Sequence, residues 1–427
     1  MRWVFFFQSL FLAVNSRQDF WQHWGNVSCP SPANSCLESK NFSSVQIFDR
    51  VLLLNCGNRT TDSRLMRCLN VKNVQEITFT DCYLSEIDFR IFIFGYAIER
   101  VQILYETNRH KRNFESATFN NVSSLRSVEI RHVRTSELLN VTFRNVSSLT
   151  SLKIKYYNFT LFSNKPFREL INLSELYITS GELKVLPEDL FYNLCNLTTL
   201  DLRDNKIESI HPLVFRNLIK LKYLKLQSNK IKDLPGDVLK GLSNLSTFRI
   251  HRNYQLSEIP SGFFKKLKKL TEINAASCSI SSLKDDVFSD LINLKDVNLG
   301  SNRIVHLPLN LLRNNKRLTR ISFWDNKIST IPAEIFHGLS ELRVLGQEHT
   351  CVKLCGRKLN QKSAFSSVSV LRFYARTHIR KNSGRIENTT ATNSTNFINF
   401  FLSYRLSIPL YLPFFLHFLC YNIENLN

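Results

Sequence analysis

LTTLDLRDNKIESI, residues Leu197–Ile210, carries apolar side chains at Leu197, Leu200, Leu202, Ile207 and Ile210. Alternation at Leu200 and Leu202 puts both on one face of a short strand, and the polar Arg203-Asp204-Asn205 that follows ends it. The same string, loosened, recurs along the chain. Aligned on the leading apolar residue, the starts are Val74, Ile98, Leu125, Leu149, Leu173, Leu197, Leu221, Leu245, Leu270, Leu294, Leu318 and Leu342. Successive starts lie 24 residues apart, except for one step of 27 and one of 25. A chain that returns to one pattern at near-constant spacing stacks copies of one supersecondary unit.

Inside each unit apolar residues fall at positions 1, 4 and 6 and often at 11 and 14. Position 9 is Asn205, Asn229, Asn253, Asn302 and Asn326, with Cys82 and Cys278 replacing it. A buried Asn there can bond backbone groups left over where the strand turns, so a ladder of them is expected along the stack. Position 19 is Phe92, Phe143, Phe167, Phe191, Phe215, Phe288 and Phe336, with Leu239 and Leu312 standing in. Phe119 and either Phe263 or Phe264 fill that slot in the longer units. Pro187, Pro235, Pro260, Pro308 and Pro332 break the chain just before it. The pattern LxxLxLxxNxL resembles the leucine-rich repeat. The expected fold is therefore an α/β leucine-rich-repeat solenoid, a curved horseshoe with parallel strands on the concave face and a Phe spine on the convex side.

Composition places the chain in a compartment. Its 427 residues carry a net charge of +21, and 43% are hydrophobic, enough for a core. The opening MRWVFFFQSLFLAVNS reads as a signal peptide, residues 1–16. Twelve Asn-x-Ser/Thr sequons follow: Asn26, Asn41, Asn58, Asn121, Asn140, Asn145, Asn158, Asn172, Asn196, Asn244, Asn388 and Asn393. Ten cysteines in an oxidising compartment point to disulfides, with Cys29, Cys36, Cys56, Cys68, Cys351 and Cys355 as candidates. The four early ones allow three pairings, and the sequence does not choose among them. Zinc is the rival reading of this cluster, but no CxxC pair and no paired histidines accompany it. The protein is expected to be secreted or at the cell surface.

The organisation that follows is a cysteine-stapled N-terminal cap over 17–73, about twelve units over 74–345, and a degenerate C-terminal segment over 346–380. A polar linker spans 381–397 and a hydrophobic tail 398–427. Within the tail, LSIPLYLPFFLHFLCY holds sixteen residues without a formal charge, short of the ~20 that cross a membrane as a helix. A short membrane tether, a lipid-anchor signal and translated non-coding sequence are three open readings of it.

No GxSxG, HExxH, GxxxxGK or GxGxxG string occurs, so no catalytic residue, metal site or cofactor is assigned and no enzyme is expected. The functional signal lies at the outward-pointing strand positions. In the middle units these are basic and tyrosine-rich, with Lys153, Lys155, Tyr177, Arg203, Tyr223, Lys225, Arg249 and Arg252 as candidate ligand-binding residues. Later units turn small and neutral at Ala276 and Gly300 until Trp324. Tyr and Arg are frequent anchors in protein interfaces.

LDLRDNKIESIHPLVFRNL, from Leu200 to Leu218, resembles the ectodomain of insect Toll receptors. So do Cys29-Pro30, NCGNRTTD around Cys56 and TDCYL around Cys82. The resemblance covers about residues 25–345. It implies a receptor ectodomain binding a cystine-knot cytokine of the Spätzle type in innate immunity or development, as a homo- or heterodimer with another such receptor. The sequence departs from that family in having fewer repeats, no matching C-terminal cap and no TIR domain, so a truncated or decoy form is expected. The other expectations, in order, are a matrix or adhesion protein gripping acidic glycans and, last, a nucleic-acid sensor.

Overall fold

In the computed structural model the described residues are 44–48, 50–55, 74–80, 98–104, 118–120, 123–132, 142–144, 146–160, 162, 166–346 and 353–355. The signal segment, Cys29, Cys36, Cys56, Cys68, Cys351 and the tail lie outside them. So do the sequons Asn26, Asn41, Asn58, Asn121, Asn140, Asn145, Asn388 and Asn393. Cys355 ends a described strand. The chain forms two compact units, residues 1–182 and 183–427.

The first unit opens with an antiparallel pair, Ser44–Phe48 against Val51–Asn55, in register from Ser44↔Asn55 to Phe48↔Val51. Every later pairing in its main sheet is parallel. Val51–Asn55 pairs with Glu76–Thr80, which leads on to Arg100–Leu104, Ser127–Arg131, Ser151–Lys155 and Glu175–Thr179. Burial alternates along each strand, with Val128 and Ile130 or Leu152 and Ile154 fully inward. That is the pattern of a sheet packed on one face only. A second, short parallel pair behind it, Thr118–Asn120 with Thr142–Arg144, sets Phe119 opposite Phe143.

The second unit holds seven parallel three-residue strands: Thr199–Asp201, Tyr223–Lys225, Thr247–Arg249, Glu272–Asn274, Asp296–Asn298, Arg320–Ser322 and Val344–Gly346. Each begins two residues after the leading Leu of its repeat, so the register between neighbours repeats the sequence period. A further parallel pair joins Thr330–Pro332 to Lys353–Cys355, the latter inside the segment 346–380 that the sequence reads as degenerate.

The back of each repeat in this unit is made of turns. Among the described residues the one helical stretch is a 3₁₀ turn at Ala333–Phe336. These turns are held by i→i−3 bonds: the N–H groups of Leu190, Val238, Phe263 and Leu311 donate to the carbonyls of Pro187, Pro235, Pro260 and Pro308. A 24-residue period leaves too few residues behind the strand for more than such a turn. Proline is suited to open it, since it lacks only the N–H the turn does not need. Phe191, Phe215, Phe264 and Phe288 are buried beneath these turns, with Leu239 and Leu312 in the same column. Neighbouring rings sit 6.2 Å apart for Phe191–Phe215 and for Phe264–Phe288.

The asparagine ladder closes the other side. Asn253 is fully buried; its Nδ2 donates to the carbonyls of Leu226 at 3.1 Å and Ile250 at 2.6 Å, while its Oδ1 accepts the Ile231 N–H at 3.0 Å. Asn229, Asn302 and Asn326 repeat the arrangement. Cys278 keeps only weak contacts to the carbonyls of Ile250 and Ala276, at 3.7 and 3.6 Å. Here the preceding repeat is the 25-residue one. Its extra residue lets the Asn253 carbonyl accept the Leu256 N–H at 3.0 Å, the donor that an amide at position 278 would otherwise have taken.

Candidate ligand-binding face

The residue after each strand exit adopts a left-handed conformation. His132, Tyr156, Ser180, Asp204, Ser228, Arg252, Ser277, Ser301 and Asp325 all have φ between 53° and 60°. Such a backbone costs an L-residue on the order of 1 kcal/mol or more and persists where neighbours over-determine it. The neighbours do so through the next repeat: the N–H groups of His132, Asp204, Ser228 and Arg252 donate to the carbonyls of Lys155, Gln227, His251 and Ala276. The sharp turn lifts these side chains clear of the sheet.

On the first unit Tyr156 is 49% exposed and stacks on His132, ring centroids 4.6 Å apart at 9°. Lys153 places its Nζ 5.6 Å from the Tyr177 ring centroid, within cation–π range. Lys155 is tied to Glu129 at 3.0 Å, and Arg131 reaches the same carboxylate at 2.6 Å. Burial pushes the Glu129 carboxyl up, but hydrogen bonds from Lys155 and Arg131 and their charges outweigh it and hold it below the ordinary carboxylate value.

On the second unit Asp201 is fully buried; its Oδ1 accepts the Arg203 N–H at 3.2 Å, and its Oδ2 lies 3.6 Å from Arg203 Nε and 3.5 Å from Lys225 Nζ. Arg249 Nε donates to Glu272 at 2.7 Å. Of the eight residues singled out in the sequence, Lys155, Arg203, Lys225 and Arg249 are therefore engaged with carboxylates of their own or a neighbouring repeat. Tyr223, 43% exposed, and Arg252, exposed and without an ion-pair partner among the described residues, face outward.

Behind Arg252 the face holds two unmatched polar atoms, His251 Nδ1 and Gln227 Oε1, side by side in the seventh position of adjacent repeats. Burial, then the charges of Arg252 and Arg249, lower the His251 pKa below its ordinary value, so its ring is neutral at pH 7. Further along that row Gly300 lies directly under the Trp324 indole, with no room for a Cβ. Charge pattern does not reveal this Trp–Gly contact; the equal repeat position of Gly300 and Trp324 could have.

Three described sequons lie off this face, at the edge where the chain enters each strand. Asn172 and Asn244 donate from Nδ2 to the carbonyls of Ser147 and Ile219, both at 2.8 Å, and Asn196 accepts from Lys220 at 2.7 Å. Asn158 is exposed.

Comparison with known proteins fits this architecture. The family profile "Leucine rich repeat" matches residues 171–231, 195–254, 219–280 and 292–350. "BspA type Leucine rich repeat region" matches residues 66–155. Keratocan of Danio rerio is 33% identical over 108 residues, 24% of this chain and 29% of keratocan. The chain thus spans less than a third of the curated relatives it matches. Among solved structures, the TLR13–ssRNA13 complex superposes with a TM-score of 0.53 at 20% identity, over 70% of this chain and 40% of that one. The glycosylated Toll–Spatzle complex, named for Drosophila development and innate immunity, gives 0.52 at 19%, over 77% and 50%. At such identities the structures share a fold. With the two repeat profiles together matching well over half of its length, the chain belongs to the leucine-rich repeat proteins.

Proposed function

We propose that this chain is an extracellular binding protein of the Toll ectodomain type, a ligand-binding rather than catalytic molecule whose strand face takes a protein. The observation that carries the reading is what the face leaves free. On the second unit its cations are mostly matched by carboxylates, while Tyr223 and Arg252 stand out from a hydrogen-bonded parallel sheet. Aromatic and Arg anchors on a pre-organised surface suit a packed protein interface, because little ordering entropy is lost there. A face of paired charges suits a polyanion poorly, since each pair must be broken first.

Resemblance to Toll in sequence, and the shared fold with Toll in its complex with Spatzle, make a cystine-knot cytokine the first ligand to try. The test is biosensor binding of a Spätzle-type cytokine to wild type, Tyr223→Ala and Arg252→Glu. Each substitution is expected to cost about 2 kcal/mol, roughly 30-fold in Kd. Retained affinity in both variants would refute the face. Binding that collapses above about 0.3 M salt would favour an acidic glycan there instead, because exposed charges are screened over a few ångströms.

A further inference from the structure

A row of positive charge without ion-pair partners lies beside the strand face, along the edge where the chain enters each strand of the second unit. Six successive segments form that edge: residues 195–198, 219–222, 243–246, 268–271, 292–295 and 316–319. They contain no carboxylate. They contain seven cations, Lys220, Lys222, Lys268, Lys269, Lys295, Lys316 and Arg317, all exposed. None has an ion-pair partner among the described residues.

Hydrogen bonds fix these segments as neighbours. Lys220, Lys269 and Arg317 each donate to the Oδ1 of an asparagine one repeat back, Asn196, Asn244 and Asn293, all at 2.7 Å. Backbone bonds run from Ser246 to Lys222, Thr271 to Ser246, Lys295 to Thr271 and Thr319 to Lys295, N–H to carbonyl. Equal positions therefore follow one another at the strand spacing of roughly 4.8 Å, and the charges form a row along the stack. The nearest strand carboxylates, Glu272 and Asp296, are taken by Arg249 and Arg320 at 2.7 Å.

We infer that this edge is a docking surface for a linear sulfated glycan chain. The occupant follows from complementarity. A row of exposed ammonium and guanidinium groups without ion-pair partners matches a linear polymer with closely spaced anions, and extracellular polymers of that kind are sulfated glycans. Nucleic acid fits less well, since the six segments hold no aromatic ring on which a base could stack. A protein partner fits less well too: the exposed apolar side chains there, Ile219 and Ile292, stand three repeats apart and make no patch. The sequons Asn196 and Asn244 lie in the first and third of the six segments, and the stretch from Lys268 to Arg317 carries none. This inference uses the extracellular setting of the proposed function and a different surface.

The test uses the full chain with its N-glycans trimmed by an endoglycosidase, binding an immobilised heparin oligosaccharide at 0.15 M salt. Lys295→Glu with Arg317→Glu should lose at least tenfold in affinity. Lys230→Glu with Lys232→Glu, an equal charge change on exposed residues after the asparagine ladder, should stay within twofold. If the first pair fails to fold, Lys295→Gln with Arg317→Gln should still lose at least threefold. Four results would each overturn the inference: wild-type binding by the edge variants, equal loss in the control, equal binding of a desulfated oligosaccharide, or tighter binding of a single-stranded oligonucleotide of matched charge. Cytokine binding by the edge variant should stay within twofold, so either surface can fail without the other.

Discussion

Asn253→Ala is the sharpest probe of how the repeats hold together. Asn253 is fully buried and makes three bonds, two from Nδ2 to the carbonyls of Leu226 and Ile250 and one from the Ile231 N–H to Oδ1. Alanine strands one donor and weakens two acceptors in a site closed to water. A buried N–H without a partner costs ~1–3 kcal/mol and each weakened carbonyl ~1 kcal/mol, so the sum is about 3–5 kcal/mol. Position 278 sharpens the expectation. Cysteine serves there because the Asn253 carbonyl already accepts the Leu256 N–H. Asn253→Cys lacks that relief, because the repeat containing Ile231 has 24 residues, and it should still lose ~2 kcal/mol or more. Cys278→Asn, conversely, should gain less than ~1 kcal/mol, its Oδ1 finding no free donor.

Two readouts separate these cases. Denaturant midpoints report the global loss, which in a stacked array propagates through nearest neighbours. Amide exchange reports the local one: the Ile231 N–H should exchange ~100-fold faster in Asn253→Ala, while the Ile304 N–H, held by Asn326 at 3.0 Å, should change far less. A loss below ~1 kcal/mol with an unchanged Ile231 rate would show that the ladder follows from the fold without holding it.

Other perturbations test single contacts. Gly300→Ala drives a methyl into the Trp324 indole, so the ring must leave, with a red-shifted emission and a loss of ~1–3 kcal/mol; an unshifted spectrum would place the indole elsewhere. Glu129, held below its ordinary pKa, stabilises the native state above the unfolded value of about 4.3, and that contribution is lost as pH falls through the folded value. The midpoint gap between wild type and Glu129→Gln should therefore be largest near pH 7 and narrow as the pH falls below about 4.3; a gap that acid leaves unchanged would contradict it. Burial pushes the Cys278 thiol up to about 11, whereas Cys195 is exposed. Iodoacetamide at pH 8 should label Cys195 and spare Cys278 in the folded protein, and labelling of both would disprove the burial.

Periodic features were the legible part of the sequence. Leu200 and Leu202, Asn253 and Phe215 recur at fixed positions, and the structure puts each column where its chemistry requires. What the sequence hid was pairing between columns. Lys225 and Arg249 read as free cations along the chain because their partners, Asp201 and Glu272, lie 24 and 23 residues away, one repeat distant and a few ångströms off in space. The convex side was legible as a Phe column, and the proline-led turns that carry it are local i→i−3 bonds. The strand at Lys353–Cys355 escaped notice because its pairing is set by Thr330–Pro332 and no apolar alternation marks it.

Charge in a stacked repeat therefore has to be counted by column, not by chain. A net +21 spread over every face would give a sticky molecule with no preferred partner. Stacking sorts it instead. On the strands, Glu129, Asp201 and Glu272 fall beside cations of the same or a neighbouring repeat and neutralise them, leaving Tyr223 and Arg252 exposed. At the strand entries the same spacing alternates Lys220, Lys269 and Arg317 with asparagines, which accept a hydrogen bond but cancel no charge. Exchanging those roles, with Asn244→Asp and Asn293→Asp, should pair Lys269 and Arg317, abolish heparin binding at 0.15 M salt and leave cytokine affinity within twofold. If heparin binding survived, the net charge of the molecule, not the row, would be what a polyanion reads.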